Sequence, residues 1–166
     1  MSIHTHIETY LSASTLSSFI KKAKTLNRNY VAYTDYGLMT GAFKFYKEAK
    51  NNGLKPIIGI EILFFDSNCN FCKLAGGKYY PLTIYAKDAA AYKRLTELSA
   101  HKNLLYETKS EDTLPLTTWE DLEKYKGYNF ELAVGGHLSL PYRLYAKGMG
   151  KESVEVLEKI NKIIPL

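Results

Sequence analysis

An α/β fold, wound as a barrel or an open parallel sheet, is predicted by three features of this sequence. Short apolar strand patterns alternate with stretches of helical periodicity, one strand is apolar almost throughout, and the residues with ligand chemistry fall mostly at or just beyond strand C-terminal ends. With 166 residues, 46% of them hydrophobic, and no linker or low-complexity tract, the chain reads as one domain over 1–166.

The elements follow in order. Ser2 to His6 has a strand pattern, and Ser12 and Ser14 offer caps to a helix whose Leu16, Phe19, Ile20 and Ala23 share a face. Tyr30 to Tyr33 is a second strand. Leu38, Ala42, Tyr46 and Ala49 recur at helical spacing until Asn52-Gly53 supplies a stop. Ile57 to Phe65 is a strand with the composition of one buried on both faces. A loop carrying Cys69, Cys72 and Gly76-Gly77 leads to Leu82–Tyr85, which is expected to pair back on the third strand as a hairpin extension.

Asp88 is placed to cap a helix through Tyr92, Leu95 and Leu98. Lys102 to Leu116 is polar and reads as an exposed connection. Thr118 with Asp121 has the spacing of a capping box for a short helix, and Phe130 to Val134 is a further strand. Two helices close the chain, Tyr142–Lys147 and Glu152–Ile164. In the second, Val156, Leu157, Ile160 and Ile164 form a face that needs a packing partner.

Composition narrows the function classes. No apolar run approaches the roughly 20 residues of a membrane span, and no signal-type leader precedes the first strand, so a cytoplasmic protein without membrane association is expected. Two cysteines are too few to staple a secreted fold, and Cys69-x-x-Cys72 lacks the two further ligands that zinc requires. The net charge of +5 suits an anionic partner, although many small basic proteins have none.

The candidate site is a set of metal-type ligands. In an extended strand His4 and His6 lie on one side, because side chains alternate with period two. Asp35 directly follows the second strand. Glu61 lies within the most apolar strand, where a carboxylate must be paired, hydrogen-bonded or metal-bound. His137 follows the strand at Phe130–Val134. Three imidazoles and two carboxylates form the mixed nitrogen and oxygen set that suits Zn²⁺, Mn²⁺ or Fe²⁺ and the hydrolysis of phosphoesters by metal-bound water.

The order of these motifs carries more than any one of them. His4-Thr5-His6, then Thr34-Asp35-Tyr36-Gly37, then Lys55-Pro56-Ile57-Ile58-Gly59-Ile60-Glu61 resembles the first three motifs of the PHP (polymerase and histidinol phosphatase) family, as bacterial DNA polymerase III alpha subunits carry them. Ala86-Lys87-Asp88 and the surroundings of Phe45-Tyr46 are similar to the same branch. The resemblance runs from Ile3 to about Gly148. It implies an incomplete, distorted (β/α)7 TIM-like barrel with a metal cluster and, in some members, a 3′–5′ exonuclease.

The sequence departs from the family pattern. Tyr36 stands where the second motif has histidine, Pro81 where a further histidine ligand is usual, and His137 near a position usually held by cysteine. The closing Asp-x-His motif is not found, so the chain reads as the N-terminal piece of a longer polymerase subunit that lacks the last barrel units.

The resemblance therefore implies a degenerate PHP domain with a structural role in DNA replication, partnered by DNA, the rest of the polymerase subunit and accessory replication proteins. Its metal site is reduced, for Zn, Mn or Fe or for none, and no residue is assigned to catalysis. Two other readings are open on the same residues. One is an active metal-dependent phosphoesterase or 3′–5′ exonuclease using His4, His6, Asp35, Glu61 and His137. The other is a non-catalytic nucleic-acid-binding module built on Lys44, Lys47, Lys50 and Lys55 and the tyrosines.

Overall fold

The computed structural model describes residues 3–5, 15–107 and 116–166. Their elements alternate as β1 (Ile3–Thr5), α1 (Leu16–Thr25), β2 (Tyr30–Tyr36), α2 (Ala42–Asn51), β3 (Lys55–Phe64), α3 (Asn70–Ala75), β4 (Tyr80–Ala86) and α4 (Ala89–Glu107). They continue as β5 (Leu116–Thr117), α5 (Trp119–Glu123), β6 (Phe130–Ala133), α6 (Leu140–Ala146) and α7 (Gly150–Ile163).

The sheet is mixed rather than wholly parallel. Its strand order is β1-β2-β3-β4-β6, with β5 pairing at β3. The first three strands are parallel, as βαβ crossovers require, while β4 turns back antiparallel to β3, as the hairpin expectation had it, and β6 is antiparallel to β4. Among the described residues no pairing joins β6 to β1, so the path is open.

One face of the sheet carries the core. Val31 and Tyr33 of β2, Ile58, Ile60, Ile62 and Phe64 of β3, and Leu82 and Ile84 of β4 all belong to one buried cluster with the helices. Phe45 of α2 lies with its ring centroid 5.6 Å from that of Tyr33 and 6.2 Å from that of Phe19 on α1, so α1 and α2 cover this face together. A phenylalanine buried in this way contributes about 3–5 kcal/mol against alanine.

Local chemistry sets the helix ends. Asp88 Oδ1 accepts the Ala91 N–H at 2.8 Å and starts α4, and the Thr118–Asp121 capping box is formed at α5. The cap of α1 is Thr15, whose hydroxyl accepts from Ser18 N–H; Ser12 and Ser14, the expected caps, lie outside the described residues. Gly53 takes a φ of 74°, as the stop after α2 demands.

Several boundaries differ from the sequence reading. α2 starts at Ala42 rather than near Leu38, whose carbonyl instead accepts from the Tyr33 hydroxyl at 3.3 Å. The cysteine segment, expected as a loop, forms the short helix α3, capped at its C-terminus by Gly76 at φ 71°. α4 runs on to Glu107 because nothing between Lys102 and Glu107 breaks a helix; the rest of the expected connection, 108–115, lies outside the described residues. The apolar face of α7 packs on α6, and the chain then extends so that Leu132 N–H donates to Pro165 O at 2.8 Å along the edge of β6.

Candidate functional site

The site begins with strand alternation. β2 is longer than its apolar run suggested and includes Thr34, Asp35 and Tyr36, so Asp35 lies within the strand and not after it. The register pairs Asp35 with Ile60 and Tyr36 with Glu61. Side chains level with each other in paired strands share a face, and successive ones alternate. Asp35 therefore sits with Tyr33 and Ile60 on the helix-covered side, fully buried, while Glu61 lies on the opposite face with Tyr36.

That second face has its own composition. A single row crosses the sheet through Tyr36, Glu61, Thr83 and Ala133. The next row holds Thr34, Gly59, Tyr85 and Glu131. Most of these side chains are half-buried or exposed, in contrast with the apolar helix side.

Gly59 is explained by its neighbour. A Cβ there would lie 2.6 Å from the Ile84 carbonyl oxygen and 2.7 Å from Tyr85 Cδ1, so the Tyr85 ring occupies the space left by the missing side chain. This places the ring beside Glu61, whose charge, after burial, helps to raise the Tyr85 pKa. Gly37, at φ 67°, turns the chain after β2, and its N–H donates to Glu61 O at 2.8 Å, tying the end of β2 to β3.

Tyr36 feels the same carboxylate. Burial first, then Tyr79, then Glu61 push its phenol up to about 12. It stays protonated and neutral through the physiological range, and a neutral phenol is a poor substitute for an imidazole on a metal.

The five predicted ligands are thus only partly drawn together. His4 is in backbone register with Ala32, in the row continued by Ile57, and its side chain and all of His6 lie outside the described residues. Glu61 is half-buried on the face turned away from α1 and α2. β6 runs in the same direction as β3, so exposed His137, four residues past its end, lies at the same end of the sheet as Tyr36 and Glu61 but beyond the intervening β4. Asp35 is on the far face.

Among the described residues, no group of three or more His, Cys, Asp or Glu side chains is close enough together to hold a metal ion. The row across the strands offers a phenol, a carboxylate, a hydroxyl and a methyl group, which is not a metal donor set. The described residues by themselves do not fit a PHP-type metal cluster. Cys69 and Cys72 are buried free thiols, and burial pushes Cys72 up to about 12, which makes it unreactive at neutral pH.

Comparison with known proteins gives concordant results. The family model described as PHP domain matches residues 1–165. The DNA polymerase III subunit alpha of Borreliella burgdorferi is 38% identical over 133 residues, covering 74% of this chain and 11% of that protein. Its counterpart in Aquifex aeolicus is 33% identical over 136 residues, again 74% of this chain and 11% of the relative. The chain thus spans about a tenth of the length of the curated relatives it matches.

Among solved structures, one described as a metal-dependent phosphoesterase of Bifidobacterium adolescentis aligns over 96% of this chain and 55% of its own, with a TM-score of 0.45 and 18% identity. That similarity is too low to carry an argument about the site.

Proposed function

This chain belongs to the PHP domain family, and we propose that it acts as the PHP domain of a DNA polymerase III alpha subunit, supporting DNA replication structurally and not through hydrolysis. Homology to those subunits covers about three quarters of the chain. In this reading 1–166 is one domain, and its open sheet is part of a distorted TIM-like barrel whose interior is the face bearing Glu61. Its partners are DNA, the remainder of the polymerase subunit and accessory replication proteins, and its setting is the cytoplasm. Among the described residues no helix is long and apolar enough to cross a membrane.

The observation that carries the non-hydrolytic role is the pairing of Tyr36 with Glu61. A reduced site for Zn, Mn or Fe would rest on His4, His6, Glu61 and His137, with a neutral phenol at the position that the resemblance assigns to histidine. Such a metal would supply a bound hydroxide near neutral pH. Asp35, on the helix side, is better read as a buried structural carboxylate of β2.

A nuclease assay tests this. Incubating the chain with 3′-labelled single-stranded DNA and added Mn²⁺ or Zn²⁺ is expected to release no more nucleotide than Glu61→Ala does. Metal-dependent release that Glu61→Ala abolishes would establish the phosphoesterase in its place.

A further inference from the structure

An apolar groove runs between α2 and the first turns of α4, on the side of the sheet that the helices cover. Phe43 and Tyr46 form one wall, Ala89 and Tyr92 the other, and the floor includes Ile58 and Ala86, which pair across β3 and β4. Its volume of about 470 Å³ is in the range of preformed binding clefts.

Phe43 is 71% exposed and Tyr46 45%. A single exposed ring is ordinary, but two beside an apolar recess make a contiguous patch of the kind that marks an interaction site. α2 packs on the core through Ala42, Phe45 and Ala49, so folding makes no demand for a large ring at Phe43.

The rim of the groove is basic. Lys47, Lys50 and Lys93 are exposed, and each follows a lining residue, Phe43, Tyr46 or Ala89, by four positions, which on a helix places it on the same side one turn further along. Lys50 Nζ is 5.8 Å from the Tyr46 ring centroid. Among the described residues none of these three lysines forms an ion pair. Asp88, the carboxylate at the groove's edge, is engaged as the cap of α4, its Oδ1 accepting the Ala91 N–H at 2.8 Å. Lys87, also at the edge, is paired with Glu131 at 3.2 Å. Lys47 and Lys50 are three residues apart and repel each other, so the basic rim does not serve the stability of α2.

We propose that the α2–α4 groove binds a partner protein through an acidic segment, whose apolar side chains enter between Phe43 and Tyr92 while its carboxylates meet Lys47, Lys50 and Lys93. Amphipathic helices dock in this way, with apolar anchors at i, i+3 and i+4. A nucleic acid strand would lay its sugars and phosphates over Ile58 and Ala86, which offer their polar atoms nothing. A second copy of this groove would bring its own lysines against these. The groove and Glu61 lie on opposite sides of the sheet, so the proposal neither uses nor depends on the reading above.

The test is anisotropy of a fluorescent peptide, with Leu, Phe and Leu at i, i+3 and i+4 among Asp and Glu residues, titrated with the full chain at several salt concentrations. Binding that weakens as salt rises is expected. Phe43→Ala/Tyr46→Ala is expected to weaken it at least about tenfold with the salt dependence kept. Lys47→Ala/Lys50→Ala/Lys93→Ala is expected to weaken it about three- to thirtyfold and to flatten the salt dependence. Lys124→Ala/Lys126→Ala/Lys151→Ala, the same charge change elsewhere, is expected to leave both alone. Phe43→Glu serves as the second variant: at so exposed a position it sets a like charge against the peptide without touching the core, and thermal melts confirm that each variant folds.

No binding, an equal loss in the control variant, or polyglutamate bound as tightly as the peptide would each overturn the proposal. So would oligothymidylate that displaces the peptide at equal affinity, which would make the groove a nucleic-acid surface, or a dimer in sedimentation that Phe43→Glu dissociates, which would make a second copy the occupant.

Discussion

Tyr36 and Glu61 stand directly opposite each other on neighbouring parallel strands, on the face of the sheet turned away from the helices. The phenol is partly buried and the carboxylate lies close enough to help raise its pKa. This pair occupies the place where two metal ligands would be expected from the family resemblance, and only one of them is a metal ligand by chemistry.

Tyr36 is therefore predicted to ionise well above the ordinary tyrosine range. A phenol whose folded pKa is raised from 10.0 to about 12 contributes stability that is intact below pH 10 and is lost as the pH climbs through 12. NMR of ring-labelled tyrosine, assigned with Tyr36→Phe, should show its midpoint near 12, and Glu61→Gln should lower it. A midpoint near 10 would mean that Tyr36 is neither buried nor close to Glu61.

Gly59 should not tolerate a side chain. Its Cβ would press on the Ile84 carbonyl oxygen at 2.6 Å, and backbone cannot swing aside as a side chain can. Gly59→Ala is expected to destabilise by about 1–3 kcal/mol in urea unfolding. Adding Tyr85→Ala should not restore the loss, since the Ile84 contact remains; full rescue would place the conflict in the ring alone.

The cap of α4 should report on acid. Hydrogen bonding to the Ala91 N–H, then to Asn129, holds the Asp88 carboxyl below its ordinary 3.8. A depressed carboxylate adds stability above the unfolded pKa and loses it as pH falls through the folded one. The stability difference between the wild type and Asp88→Ala should be constant from about pH 7 to pH 5 and shrink below 3.8. A difference unchanged at pH 2 would show that the carboxylate is not the capping group.

Much of this was legible in the residues. The βα alternation, the caps at Asp88 and Thr118, and the return of β4 onto β3 follow from local patterns that short-range hydrogen bonding enforces. The motif order pointed to the family that the comparison then matched. What was hidden depends on long-range register. Asp35 looked like a loop ligand because polar Thr34 and Asp35 end the apolar run, yet pairing with β3 carries β2 on to Tyr36 and turns Asp35 towards the helices. Tyr85 was likewise invisible as a neighbour of Glu61, although a glycine inside so apolar a strand was the signal that something approaches closely there. The mixed direction of the sheet arises because β4 and β6 answer to their strand neighbours rather than to a helical crossover.

The most direct test of the central claim is the metal content of the purified full chain by elemental analysis after mild dialysis. Wild type is compared with a His4→Ala/His6→Ala/Glu61→Ala variant and with Tyr36→His. A PHP domain whose role is structural predicts well under one equivalent of Zn, Mn or Fe in the wild type, no different from the triple variant, with any gain confined to Tyr36→His. Stoichiometric metal in the wild type that the triple variant loses would contradict it and return the Glu61 face to metal chemistry.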